Sequence, residues 1–180
     1  MEEILPDHCA KDVVVLCCGN VLFGDDGFGP AVAKRINATE DVPDWAVVLD
    51  AGTAVRELLF DMILSERRAK LVVIVDAVDL ADDVGVKRTP GDVFEIPLDD
   101  IPRVNISEFS LHQAPTSNLL QELREVADLK IVVIACQVES IPEEMSDEIS
   151  PVVRAAVDRA ARLITKTYLR EPVLAETNST

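Results

Sequence analysis

The sequence predicts an α/β fold: a three-layer sandwich with a mostly parallel, twisted five-stranded sheet, one antiparallel edge strand, and helices on both faces. Short runs that are apolar almost throughout alternate along the chain with stretches that carry apolar residues at helical spacing. The runs are rich in β-branched residues and short, which is typical of strands buried on both faces of a parallel sheet. Such alternation of strands and helices implies right-handed βαβ units.

Five segments are predicted as strands. Four apolar runs predict mutually parallel strands near residues 13–18, 46–50, 71–76 and 131–136. The fifth segment, residues 93–97, alternates apolar and polar side chains and follows closely after Pro90. Because proline cannot donate to a strand ladder, this position favours a sheet edge, and we expect this strand to run antiparallel.

Four helices are predicted between and after these strands. The first begins near Gly27, and the second and third cover residues 55–63 and 119–126. The last has the clearest signals, because Ser150 can cap its N-terminus and Pro151 suits the first helical position. An apolar stripe and an outer face with charges four residues apart then follow.

The chain length fits a single domain. With 180 residues there is no room for two independent cores, and we assign one α/β domain to residues 1–170. The polar tail, residues 171–180, is expected to fray. Residues 98–113 have no periodicity, and a loop of that length in a compact domain is usually functional.

The charge balance excludes several classes of partner. The chain has 17 Lys and Arg against 33 Asp and Glu, a formal net charge of −16. It would repel phosphate backbones and anionic lipids, so we expect no nucleic acid or membrane partner. The N-terminus is acidic where a signal peptide would be basic, and no apolar run approaches a membrane span of roughly 18 residues. We therefore expect a cytoplasmic location.

The cysteines indicate neither a zinc ribbon nor a disulfide framework. Cys9, Cys17, Cys18 and Cys136 include no CxxC pair. The last three lie in or end apolar runs, so we expect plain buried thiols.

Polar side chains follow the predicted strands at one edge of the sheet, where open α/β folds bind ligands. Several carboxylates and one histidine lie there: Asp25 and Asp26 after the first apolar run, Asp50 after the second, Asp76 and Asp79 after the third, and His112 from the irregular segment. Mixed oxygen and nitrogen ligands suit a borderline divalent ion such as nickel, zinc, manganese or iron, and an open position would permit hydrolysis. Gln137 and Glu139 follow the last strand and could line a groove at this edge.

Each of these residues also has a structural interpretation. Asp25 and Asp26 could simply cap a helix and complement its dipole, and His112 could be a hydrogen-bonding loop residue. A dinucleotide site is disfavoured, because no GxGxxG follows the first strand and two carboxylates stand where the pyrophosphate would bind. The motifs of serine hydrolases, zincins and P-loop proteins do not occur.

Residues 13–36, VVVLCCGNVLFGDDGFGPAVAKRI, resemble the opening signature of the hydrogenase maturation proteases, which process the large subunit of nickel–iron hydrogenases. The resemblance covers roughly residues 12–166. Its other blocks are DAGTAVRELL (50–59), VVIVDAVD (72–79), SLHQAPTSNLLQEL (110–123) and IACQVESIPEEMSDEISPVVRAAV (134–157). The GFGPAV stretch is most similar to the delta-type proteins associated with the coenzyme F420-reducing hydrogenase of methanogens.

The resemblance implies an endopeptidase that removes the C-terminal extension of the hydrogenase large-subunit precursor after nickel insertion. It implies that Asp26, Asp76 and His112 form the catalytic site and bind nickel supplied by the precursor, with no organic cofactor. Where relatives often have Gly-Gly-Thr after the second strand, this chain has Ala51-Gly52-Thr53.

Two questions stay open at this point. The chain could instead be a non-proteolytic accessory or metal-binding subunit of the hydrogenase complex that has kept the fold. In the enzyme, the metal could polarise the scissile carbonyl or lower the pKa of a bound water. Alternatively, the nickel could only register the substrate while Asp76 acts as the general base.

Overall fold

The computed structural model describes residues 7–39, 42–65, 69–80, 88–96 and 129–172. Short 3-10 turns lie at Asp7–Ala10 and Gly24–Gly27. The strands and helices are β1 (Val13–Cys18), α1 (Phe28–Thr39), β2 (Ala46–Gly52), α2 (Val55–Leu64), β3 (Leu71–Val78), β4 (Val93–Ile96), β5 (Lys130–Gln137) and α3 (Pro151–Tyr168).

The strands form one five-stranded sheet in the order β2-β1-β3-β5-β4. Four strands are mutually parallel, namely β2, β1, β3 and β5. At the edge of the sheet, β4 pairs antiparallel with β5. This arrangement confirms the predicted parallel sheet and its antiparallel edge strand. From β1 the chain adds β2 on one side, and it then crosses back to add β3 on the other side of β1. The direction in which strands are added therefore reverses between β1 and β3.

The two faces of the sheet pack against different helices. Successive strand side chains point to opposite faces, so Val14 and Leu16 of β1 join the apolar cluster that contains α2. Val13 and Val15 join the cluster that contains α1 and α3. The sheet is therefore buried on both sides, and the predicted three-layer sandwich is confirmed within the part of the chain that the structure describes.

The helices begin where their local sequence predicts. In α1 the apolar residues at every fourth position, from Phe28 to Ile36, are fully buried. At the start of α3, Ser150 Oγ accepts a hydrogen bond from Val153 N at 3.4 Å, and proline occupies the first turn. The charged outer face of α3 also contacts α1, since Arg35 Nε donates to Asp158 Oδ1 at 2.6 Å. The predicted helix at 119–126 lies outside the described residues.

All four cysteines are buried free thiols, which confirms the prediction for Cys17, Cys18 and Cys136 and adds Cys9. Burial raises the pKa of Cys136 to about 12 and raises the pKa values of Cys17 and Cys18 well above the ordinary value of a thiol. Thiols held this strongly in the neutral form are poor nucleophiles and poor metal ligands. Among the described helices, none is long and apolar enough to cross a membrane.

Candidate active site

The candidate site lies at the carboxyl ends of β1 and β3, where the strand order reverses. Crossover connections leave these two neighbouring strands in opposite directions, which opens a crevice between the loops that follow them. The loop that leaves β1, residues 19–27, is called the site loop below. It carries Asp25 and Asp26, and Asp76 faces it from β3.

The site loop folds back on itself so that Asp26 is fixed beside its own N-terminal end. Gly19 has φ +129°, and a Cβ there would lie 1.9 Å from the carbonyl oxygen of Asp26, so only glycine fits. Asn20 N donates to Asp26 Oδ2 at 2.9 Å, and Asn20 Oδ1 accepts from Leu22 N at 3.0 Å. Asp26 is thereby held in a buried position, with 2% of its surface exposed.

Asp76 lies inside β3 rather than after it. We expected the strand to end near residue 76, but β3 continues to Val78, and Asp76 pairs in register with Ala135 of β5. Backbone pairing with β5 extends the strand past its first polar residue. Asp76 is 3% exposed, and its Oδ1 accepts a hydrogen bond from Ala77 N at 2.8 Å.

The two carboxylates influence each other electrostatically. Burial raises the pKa of Asp76 to about 8, the negative charge of Asp26 adds to this rise, and the hydrogen bond from Ala77 opposes it. Among the residues that the structure describes, no Lys or Arg forms an ion pair with either carboxylate. Because burial and the neighbouring negative charge both disfavour the ionised form, a pKa of about 8 keeps Asp76 mostly protonated at neutral pH.

This donor set fits a divalent cation. Asp26 Oδ1 is buried and has no hydrogen-bond partner among the described residues. A buried oxygen of this kind is costly unless a proton, a water or a cation satisfies it. A cation would satisfy that oxygen and favour ionisation of Asp76, since a nearby positive charge stabilises a carboxylate.

The structure tests only part of the predicted three-residue site. It places Asp26 and Asp76 at the same crevice, whereas His112 lies outside the described residues. Within the described ranges no three His, Cys, Asp or Glu side chains group together in a way that could hold a metal ion. The grouping of two carboxylates is thus observed, and the role of His112 stays a prediction.

Asp25 has a different role from its neighbour. Its Oδ2 accepts hydrogen bonds from Glu139 N at 2.8 Å, from Ser140 N at 3.3 Å and from Ser150 Oγ at 3.0 Å. Its Oδ1 accepts from Ser150 N at 2.7 Å. The suggestion that Asp25 caps the helix that follows it is therefore wrong. The carboxylate instead anchors the segment between β5 and α3, because its partners lie more than 100 residues away.

Gln137 is also structural and does not line a groove. The side chain is 1% exposed, and its amide is used to join the ends of β3 and β5. Its Oε1 accepts from Leu80 N at 2.9 Å, and its Nε2 donates to Asp79 Oδ1 at 3.0 Å and to Val138 O at 3.2 Å. Periodicity and motif spacing gave no signal for these bonds. Glu139 is exposed beside the site loop, and its backbone N–H donates to Asp25.

A second contact joins the site loop to the segment that Asp25 anchors. Gly24 N donates to Ser146 O at 2.7 Å, and Ser146 N donates to Leu22 O at 2.8 Å. Phe23 and Ser146 thus form a parallel β-bridge. The rim of the crevice beside Asp26 is therefore built jointly from the site loop and from residues 139–150, which we call the rim segment.

Comparison with known proteins identifies relatives with the same overall organisation. The family model for hydrogenase maturation proteases matches residues 30–167. A Methanocaldococcus jannaschii protein assigned to the hydrogenase maturation proteases is 33% identical over 155 residues, covering 86% of this chain and 94% of the relative. The coenzyme F420 hydrogenase subunit delta of Methanothermobacter thermautotrophicus is 34% identical over 161 residues, covering 85% of this chain and 92% of the relative.

Solved structures agree with these sequence relatives. The hydrogenase-maturating endopeptidase HybD of Escherichia coli superposes with a TM-score of 0.65 at 25% identity, covering 86% of this chain and 90% of that one. The family match spans more than half of the chain and includes β3, with Asp76, and α3. The chain therefore belongs to the hydrogenase maturation proteases, a family of endopeptidases.

Proposed function

We propose that this protein removes the C-terminal extension of a nickel–iron hydrogenase large-subunit precursor after nickel has been inserted. The precursor of an F420-reducing hydrogenase is the substrate that the relationship to subunit delta favours. In this proposal Asp26, Asp76 and His112 bind the nickel ion that the precursor brings, and they form the catalytic site.

One observation carries the proposal. Two buried carboxylates face the same crevice, and no described Lys or Arg forms an ion pair with either of them. Asp26 raises the pKa of Asp76, and one oxygen of Asp26 has no partner among the described residues. The three proposed ligands are two carboxylates and one imidazole, with no thiolate, so they would hold an ion only moderately. The arrangement therefore suits a cation that arrives with the substrate and leaves with the product.

Binding of the precursor would change the protonation of the site. Asp76 is protonated in the free protein at neutral pH, and the arriving cation favours its ionised form. Nickel-free precursor brings no cation that these side chains can bind, so it would bind weakly and escape cleavage. The site loop can hold Asp26 in place throughout, because the Asn20 backbone and the contact at Gly19 fix its position.

The reaction itself requires an activated water and a polarised peptide carbonyl. A divalent ion bound by carboxylates can supply Lewis acidity for either purpose. In this proposal the ionised Asp76 accepts a proton from that water, which requires the water to bind within hydrogen-bond reach of the carboxylate. Burial of the pair strengthens these electrostatic effects, because little solvent is present to screen them.

The test is to compare cleavage of nickel-loaded and nickel-free precursor, each with and without a chelator. Mass spectrometry would report loss of the C-terminal extension. We expect cleavage of the nickel-loaded precursor only, and no stoichiometric metal in the purified protein. Equal cleavage of both forms would refute nickel checking. Specific binding without any cleavage would favour a non-proteolytic accessory subunit.

A further inference from the structure

The surface beside Asp26 has features that the cleavage chemistry does not need. The rim segment runs for twelve residues between β5 and α3 and is irregular except for the bridge at Ser146. It is nevertheless firmly attached, through the four hydrogen bonds of Asp25 and the two backbone bonds between Ser146 and the site loop. Because these anchors are buried or backbone groups, the rim segment presents a preformed surface.

This surface is unusually apolar for an exposed loop. Val21 and Leu22 of the site loop are 53% and 45% exposed, and Met145 of the rim segment is 69% exposed. Met145 directly precedes Ser146, whose N–H bonds to Leu22 O, so these side chains belong to paired backbone segments. Single exposed apolar residues are ordinary, but an exposed cluster beside a site indicates an interaction surface.

The charges around this cluster have one sign. The acidic side chains of the rim segment are Glu139, Glu143, Glu144, Asp147 and Glu148, and all of them are exposed. The sequence has no Lys or Arg between residues 131 and 153, or between residues 12 and 33. An apolar patch within a purely anionic rim attracts a partner with apolar and cationic side chains.

We infer that the apolar cluster of Val21, Leu22 and Met145, with its acidic rim, is the surface on which the precursor docks. The docking element is an apolar segment of the precursor that bears Lys or Arg. This inference rests on the proposed function and deepens it by assigning substrate recognition to a surface outside the carboxylate pair. A second copy of this chain is disfavoured as the occupant, because it would bring the same negative charge.

The test uses the full chain and the nickel-loaded precursor, with steady-state kinetics. We expect Met145→Glu to raise KM at least tenfold and Glu144→Lys to raise it about fivefold, with a much smaller change in kcat, as for loss of uniform substrate binding. Higher salt should raise KM for the wild type and raise it less for Glu144→Lys, because screening weakens only the charged contacts.

Matched controls lie on α3, away from the rim. Leu163→Glu places the same new charge at an exposed apolar residue of α3. Glu171→Lys reverses the charge of an exposed acidic residue beyond the end of α3. The 18 residues of α3 rise 1.5 Å each, so this end of the helix lies about 27 Å from the rim segment. Both controls should keep KM within twofold of the wild type. The inference is wrong if the rim variants behave like these controls.

A binding assay separates this inference from the proposed function. Precursor affinity is measured in the Asp76→Asn background, where no cleavage is expected, with and without Met145→Glu. If the wild type fails to cleave the precursor, the proposed function is wrong. The affinity for the precursor with and without Met145→Glu still tests docking in that case. If cleavage occurs but Met145→Glu leaves both affinity and KM unchanged, docking at this surface is refuted. Concentration-dependent dimers that Met145→Glu abolishes would assign the surface to self-association instead.

Discussion

Asp25 and Ser150 are joined by two hydrogen bonds, although 125 residues separate them in the chain. Asp25 Oδ1 accepts from Ser150 N, and Asp25 Oδ2 accepts from Ser150 Oγ. The same hydroxyl oxygen accepts from Val153 N in the first turn of α3. The start of α3 is therefore fixed to the site loop through a single buried carboxylate.

Replacing Asp25 should destabilise the fold. Asp25→Ala leaves three backbone N–H groups and one hydroxyl without their acceptor, and hydrogen bonds to a charged group contribute about 1.5–3 kcal/mol each. Since these bonds are not additive, we expect a loss of about 3 kcal/mol in the free energy of unfolding, measured by urea denaturation. Asp158→Ala is the control, because its exposed ion pair with Arg35 contributes about 0–1 kcal/mol. Equal losses in the two variants would contradict the anchoring role.

Two glycines with positive φ should differ sharply in their tolerance of alanine. A Cβ at Gly19 would clash with the backbone oxygen of Asp26, whereas the nearest atom to a Cβ at Gly52 lies 3.9 Å away. Gly52→Ala should cost about 1 kcal/mol, from the backbone conformation alone. Gly19→Ala should cost several kcal/mol and reduce precursor cleavage, because it displaces Asp26. Thermal unfolding and a cleavage assay would measure both, and similar behaviour of the two variants would contradict the steric argument.

The metal-free protein should lose stability as the pH rises. The pKa of Asp76 is raised to about 8 in the folded state, against an ordinary value of 3.8. The folded state therefore binds more protons than the unfolded chain between these values, and stability falls as the pH rises through that window. Asp76→Asn mimics the protonated side chain, so its advantage over the wild type should grow from about zero at pH 4 to as much as about 5 kcal/mol near pH 9. A constant difference between the two proteins across this range, in urea unfolding, would show that the pKa is not raised.

The same substitution should abolish processing. Asp76→Asn keeps the size of the side chain but removes the charge that a ligand or base requires, so we expect at least a 100-fold loss of cleavage. Asp50→Asn is a matched control near the end of β2, where the exposed carboxylate accepts, among the described residues, a local bond from Gly52 N. Its cleavage rate should stay within about threefold of the wild type. Cleavage by Asp76→Asn at the wild-type rate would remove Asp76 from the site.

Local sequence patterns predicted the strands and helices well, but not where polar residues lie within them. The apolar run that ends at Val75 predicted the core of β3, yet the strand continues through Asp76 to Val78. That extension depends on pairing with β5, more than 50 residues later. A polar residue can remain in a strand when the adjacent strand supplies its backbone hydrogen bonds. The apolar pattern of one segment carries no information about which strand lies beside it.

The sequence by itself determined the alternation of strands and helices, the antiparallel edge strand, and the edge of the sheet at which Asp26 and Asp76 meet. These follow from side-chain periodicity and from the rule that parallel strands end together. Only the tertiary structure decided that Asp26 faces the crevice while Asp25, one residue earlier, binds the start of α3. It also decided that Gln137 joins two strand ends. The physical reason is that a carboxylate or amide takes its hydrogen-bond donors and its electrostatic environment from whatever the fold packs against it, and those partners lie far away in sequence.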